Sequence, residues 1–200
     1  MQTQMAIEHR RAVKAFDVEF SISDNAQRTL LELAQKAPSA FNLQHCRYVV
    51  ITDPEQRQRI REHAWNQAQV TDASMLVVLC ADMESWQRDP ARFYREMPED
   101  VQKVMLGAVD NYYRDKPRVI RDEAMRSGGL AAQTIMLAAT SMGYDSCPMD
   151  GFDFDKVGEV VGLPEGHAIV MMIAIGKRAA PPHPRSGKLP FDEVVFDNHF

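Results

Sequence analysis

Cysteine is scarce in this chain, and Cys46, Cys80 and Cys147 stand far apart with no Cys-x-x-Cys pair. An odd, dispersed set excludes a disulfide framework and a cysteine zinc site, so the thiols are expected to be free. His9, His45, His63, His167, His183 and His199 include no pair at helical ligand spacing, which argues against a bound metal. Positive charge is the minority sign: 23 Lys and Arg face 28 Asp and Glu, leaving a net charge of -5. Binding nucleic acid normally takes a broad basic surface that releases phosphate counterions, so that partner is not expected. No apolar run reaches the ~20 residues of a membrane span, and the opening MQTQMAIEHR lacks the apolar stretch of a secretory signal. A cytoplasmic protein with no membrane partner is expected. Repeats and low-complexity tracts are absent too.

What is present suits one domain over residues 1–200. Hydrophobic residues make up 45% and charged residues 26% of the 200, and a chain of this length buries roughly 70% of its unfolded surface. Asp24 and Gln27 read as a capping box for a helix over 24–37, whose apolar positions Ala26, Leu30, Leu33, Ala34 and Ala37 stop at Pro38. Residues 47–52 are β-rich, and Asp53-Pro54 supplies a cap and a first-turn proline for a polar helix over 55–65. The unbroken apolar run 75–81 predicts a strand covered on both faces. Pro90 and Pro98 interrupt 84–116, where short helices covering a pocket are expected. Pro117 opens a long buried helix to Met142, with Gly143 as its C-terminal cap. A short extended piece at 144–149, a helix at 154–161 and a buried strand at 168–176 complete the order. Pro181, Pro182, Pro184 and Pro190 then predict an extended arm over 177–200, whose Val194-Val195-Phe196 needs cover that a partner subunit could supply.

Two segments carry the chemistry. Arg10 and Arg11 each offer several N–H bonds to phosphate oxygens, while Lys14 offers a compact mobile charge suited to one developing anion. Ala37-Pro38-Ser39-Ala40-Phe41-Asn42-Leu43-Gln44 places small polar groups in a turn before a strand, where amides can read a heteroaromatic edge. Either segment alone is compatible with surface charge and ordinary loop chemistry. Together, and with Asp72-Ala73-Ser74 before the next apolar strand, they make the chain resemble the FMN-dependent nitroreductase family through most of its length.

The resemblance implies an α+β fold: a three-layer α-β-α arrangement around a central mixed, mostly antiparallel sheet, with the C-terminal arm exchanged in a homodimer. It implies non-covalent FMN at the dimer interface and NAD(P)H as electron donor. Arg10 and Arg11 match the family's phosphate and ribityl contacts, and Lys14 its flavin-facing cation, which would favour the reduced flavin by meeting charge at N1 and O2. Pro38, Ser39, Ala40 and Asn42 match a loop that meets the flavin from the opposite subunit. Asn66 falls where the family often bonds the pyrimidine edge, although an exposed helical Asn is an equal reading. Pro148, Met149, Asp150 and Gly151 match a turn whose backbone N–H points at flavin N5. Arg185 and Lys188 match the basic end of the arm and could complete phosphate neutralisation.

The sequence departs from the family pattern at four places. Ala12 stands where Ser is usual, His45 where Pro often follows Gln, Arg47 in the neighbourhood of a frequent Trp, and Gln69 in place of a Lys found in some members. Cys147 beside the turn has Asp145 and Asp150 as neighbours, which would disfavour a thiolate. The expected activity is ping-pong reduction of a small-molecule acceptor, a nitroaromatic, quinone or activated alkene, with no side-chain acid or base required. The alternative is a non-catalytic module that senses flavin or another phosphorylated ligand.

Overall fold

All eight residues of the run Met75–Asp82 are buried, which fixes it as an interior strand. A computed structural model describes residues 2–200. In chain order it contains α1 (Thr3–His9), α2 (Asp24–Ala34), β1 (Cys46–Ile51), α3 (Pro54–Glu62), α4 (Gln69–Asp72), β2 (Met75–Asp82), α5 (Ser85–Arg88), α6 (Glu99–Tyr113), α7 (Pro117–Ser141), β3 (Asp145–Met149), α8 (Phe154–Val161) and β4 (His167–Gly176). The strands pair in the order β1-β2-β4-β3, every neighbour antiparallel. Side chains alternate along β2: Met75, Val77 and Leu79 meet the apolar stripes of α2 and α7, whereas Leu76, Val78 and Cys80 meet Ile60, Ala64 and Val157 on the other face. The result is the expected three-layer sandwich, but α7 is buried on one face only: nine of its 25 residues are buried, whereas Leu130 is exposed. No described helix is long and apolar enough to cross a membrane.

The sheet is mostly antiparallel, as expected: its four named strands pair antiparallel throughout. The parallel element among the described residues is an isolated bridge, Ala12 to Ser146, at the free edge of β3. The helix boundaries also shift. Ser23, not Asp24, caps α2, its side chain accepting from the Ala26 N–H at 3.3 Å. Asp53 does cap α3, accepting from the Glu55 N–H at 3.1 Å, but the helix stops at Glu62 because Trp65 and Asn66 adopt left-handed φ values of 52° and 54°. Within 84–116, Pro98 starts rather than breaks a helix, and α6 runs for 15 residues. Its Val109 and Tyr113 join Trp86, Tyr94 and Leu43 in a third apolar cluster over the loop that precedes β1. Helix α1 had no sequence signal, since only Ala6 of its seven residues is buried. Gly143, at φ 80°, ends α7 as expected.

Candidate functional site

The basic segment near the start is held beside the sheet by two isolated bridges, Ala12 to Ser146 and Phe16 to Arg178. Val13 donates to the Ser146 carbonyl at 3.0 Å, and the buried side chains of Val13 and Phe16 anchor the segment against the core, leaving Lys14 exposed. Phe16 pairs in turn with Arg178, and Ala179 donates to the Ala15 carbonyl at 3.0 Å. The arm therefore starts by running back along its own N-terminal segment. Arg185 donates to the carbonyls of Glu8 at 2.8 Å and Arg10 at 2.9 Å, satisfying groups that the end of α1 leaves open. Arg11 donates to the His183 carbonyl. The structure thus gathers Arg10, Arg11 and Arg185. Lys188 lies farther along the exposed arm and is not brought to them by any hydrogen bond.

Lys14 stands beside Cys147, the middle residue of β3. Burial pushes the Cys147 thiol up, while the Lys14 ammonium and the Gln69 amide work the opposite way. A disfavoured thiolate was expected from Asp145 and Asp150, but the cause is different: Asp145 is paired with Arg178 at 2.9 Å, and desolvation governs the thiol.

Pro148 and Met149 close β3, so the turn proper is Asp150–Gly151. Phe152 donates to the Asp150 carbonyl at 3.1 Å and Gln67 Nε2 to the Gly151 carbonyl at 2.8 Å. The Gly151 N–H makes no hydrogen bond among the described residues. Trp65, 78% exposed, lies against this turn. A Cβ at position 151 would sit 2.5 Å from its ring, so glycine is what lets the indole approach. Asn66 follows, with Arg61 Nε donating to its Oδ1 at 2.8 Å. Because a guanidinium only donates, the amide nitrogen of Asn66 is the atom left facing outward.

The second group lies elsewhere. Ser39 Oγ accepts from the Gln44 N–H at 2.9 Å, and Asn42 donates to the Ser39 carbonyl at 2.9 Å through the 3-10 turn Ala40–Asn42. Phe41, Asn42 and Gln44 hold left-handed φ values of 53°, 55° and 47°. Tyr94 secures this strained loop by donating its hydroxyl to the Phe41 carbonyl at 2.6 Å. Ser39 and Pro38 line a cleft of about 430 Å³ with Gln44, His45, Arg92 and Phe93. This loop feeds β1, whereas Gly151 follows β3 at the opposite edge and Lys14 lies on the segment bridged to the outer side of β3. Three strand spacings, roughly 14 Å, separate the two groups within one chain.

Two of the unusual residues explain each other. His45 is fully buried, its Nδ1 lying 2.7 Å from Ser85 Oγ and 3.1 Å from the Asp82 carbonyl. Burial pushes its pKa down, so the imidazole is neutral. Arg47 Nη2 meets the Asp82 carboxylate at 2.8 Å, joined by Arg88 at 3.2 Å; that carboxylate is 1% exposed. Sequence reasoning did not single out Gln67 or Trp65, and took Gln69 only as a lost cation; their contacts to β3 and its turn join segments at least 78 residues apart, which no local pattern shows.

The family model described as the nitroreductase family matches residues 7–177. Protein DrgA of Synechocystis sp. is 48% identical, with 98% of this chain and 95% of that protein covered. The NADH dehydrogenase of Thermus thermophilus is 30% identical over 93% of this chain and 91% of its own length. A provisionally assigned nitroreductase of Exiguobacterium sibiricum, solved in complex with FMN, superposes with a TM-score of 0.91 at 26% identity, covering 99% of this chain and 98% of that one.

Proposed function

The chain belongs to the nitroreductase family, and we propose on that footing that two copies of it enclose non-covalent FMN and pass hydride from NAD(P)H to a nitroaromatic, quinone or activated alkene. At the coarser level it is an NAD(P)H-dependent FMN oxidoreductase. When bound, FMN supplies two-electron chemistry at N5 that no side chain here could supply.

One observation supports the reading most: along the edge formed by β3 and its turn, the Lys14 ammonium lies beside Cys147 and the Gly151 N–H, four residues on, is unpaired. The N–H is a fixed donor for a ring nitrogen, and the ammonium is a cation for a ring that becomes anionic on reduction. Asn66 adds an outward amide donor suited to a pyrimidine carbonyl. Arg10, Arg11 and Arg185 form the cationic end for a phosphate; Arg11 and Arg185 meet carbonyl oxygens in the protein and keep further N–H groups to offer. Lys188 would join them if the arm closes. Pro38, Ser39, Ala40 and Asn42 cannot reach this edge from the same copy, so their part is assigned to the second copy's loop.

The purified protein should be yellow, elute as a dimer in size exclusion, and lose its flavin absorbance on anaerobic addition of NADH or NADPH. Parallel double-reciprocal lines for donor and acceptor would follow from the ping-pong sequence. A bound flavin that stays oxidised under NADH and NADPH would replace the enzyme with the sensing module.

A further inference from the structure

Gln67 and Gln69 join their amides in a chain whose sense is fixed at one end. A backbone carbonyl only accepts, so the Gln67 atom 2.8 Å from the Gly151 oxygen is Nε2, and its Oε1 turns toward Gln69. Gln69 answers with its own Nε2 at 3.0 Å, and the same nitrogen lies 4.0 Å from Cys147 Sγ. Both N–H bonds of a side chain only 4% exposed are thereby directed into the protein. Gln69 brings neither charge nor a free donor to the site, which leaves Lys14 as the ammonium there.

The relay closes on a turn that is otherwise lightly held. With the Asp150 oxygen taken by Phe152 and the Gly151 oxygen by Gln67, the peptide planes on both sides of Gly151 are fixed, and the direction of its free N–H with them. We propose that Gln67 and Gln69 are positioning residues: a one-way amide relay that aims the Gly151 N–H into the cofactor site. The inference rests on the FMN reading given above. An N–H held there bonds the lone pair of oxidised N5 and loses that acceptor once N5 carries hydrogen, so the relay stabilises oxidised over reduced FMN.

The test compares wild type with Gln67→Met, Gln69→Met, the double variant and Gln67→Glu, titrating each with FMN by flavin fluorescence and measuring the midpoint potential of the bound cofactor. Each Met variant should weaken binding of oxidised FMN about tenfold while reduced FMN is little affected, which raises the midpoint by about 30 mV. The double variant should lose no more than the larger single loss, because the amides act in series. Gln67→Glu keeps size and polarity but sets an acceptor against the Gly151 carbonyl, so it should behave like Gln67→Met. Additive losses, a Glu variant equal to wild type, or unchanged affinity and potential in variants that still bind FMN would overturn the relay and leave the cofactor reading standing. A wild-type protein that takes up no FMN would overturn that reading, and the relay with it.

Discussion

Replacing Lys14 by Met should lower the midpoint potential of bound FMN. The ammonium sits beside Cys147 at the β3 edge, with Gln69 adding no second charge, so its removal takes away the ionic stabilisation of the anionic reduced ring at that end. At about 4 Å the attraction is roughly 4 kcal/mol at an effective dielectric of 20 and about 1 kcal/mol in bulk water. For a two-electron couple about 1.4 kcal/mol corresponds to 30 mV, so the loss lies between roughly 20 and 90 mV. Lys14 is exposed in the isolated chain, which draws the value toward the lower end unless a second copy covers it. Equilibrium titration against a dye of known potential reads the shift, and Lys14→Arg should keep most of the wild-type value. An unchanged midpoint in a Met variant that still holds FMN would refute the assigned role.

Adding FMN should quench the emission of Trp65 strongly, and the Trp86→Phe variant should show the same loss, because Trp65 lies on the Gly151 turn while Trp86 is buried in the third cluster. Arg57→Leu should cost about 3 kcal/mol and lower the melting temperature by roughly 5–10 °C, since buried Arg57 donates to the carbonyls of Ile51 at 2.8 Å and Ser74 at 3.2 Å, and to that of Ala73. Burial holds the His45 pKa below its unfolded value, so its share of stability is complete above about pH 6.5 and is lost as the pH falls below it, at up to about 1.4 kcal/mol per pH unit. His45→Gln should flatten that limb in urea unfolding between pH 7 and 5. Mixing and refolding two FMN-defective variants, one changed at Lys14 and Arg10 and the other in the Ser39–Asn42 loop, should restore flavin binding in mixed dimers, and no recovery would count against a shared site.

Strong local signals carried the interior of the fold into the sequence. The apolar run of β2, the proline start and glycine stop of α7, and the Asp53-Pro54 cap of α3 all act within a few residues, and the structure has each of them. Sheet order and site closure depend on long-range partners instead. The Ala12–Ser146 bridge and the Gln67–Gly151 bond join residues far apart in the chain and leave no periodic trace. Likewise, His45 and Arg47 read as separate departures from a family pattern. Folded, they serve one polar centre: Arg47 neutralises the buried Asp82 carboxylate, and His45 bonds the carbonyl of the same residue and the hydroxyl of Ser85. A buried charge without such partners would cost several kcal/mol; Arg47 shares that pairing with Arg88, while His45 holds the backbone of the same residue.

The arm divides at the point where its anchors end. Up to Arg185 it is tied to its own chain through Ala179, His183 and the carbonyls of Glu8 and Arg10, so exchange of the whole 177–200 stretch would first have to break these bonds. Beyond that point Leu189, Phe191, Val194, Val195 and Phe196 are all at least 45% exposed, more apolar surface than an isolated tail gains by holding out to water. The part available to a second copy is therefore the last dozen residues. Because that stretch begins just past Lys188, docking it in the dimer proposed above would carry a cation toward the phosphate end, so subunit association and completion of that end should go together.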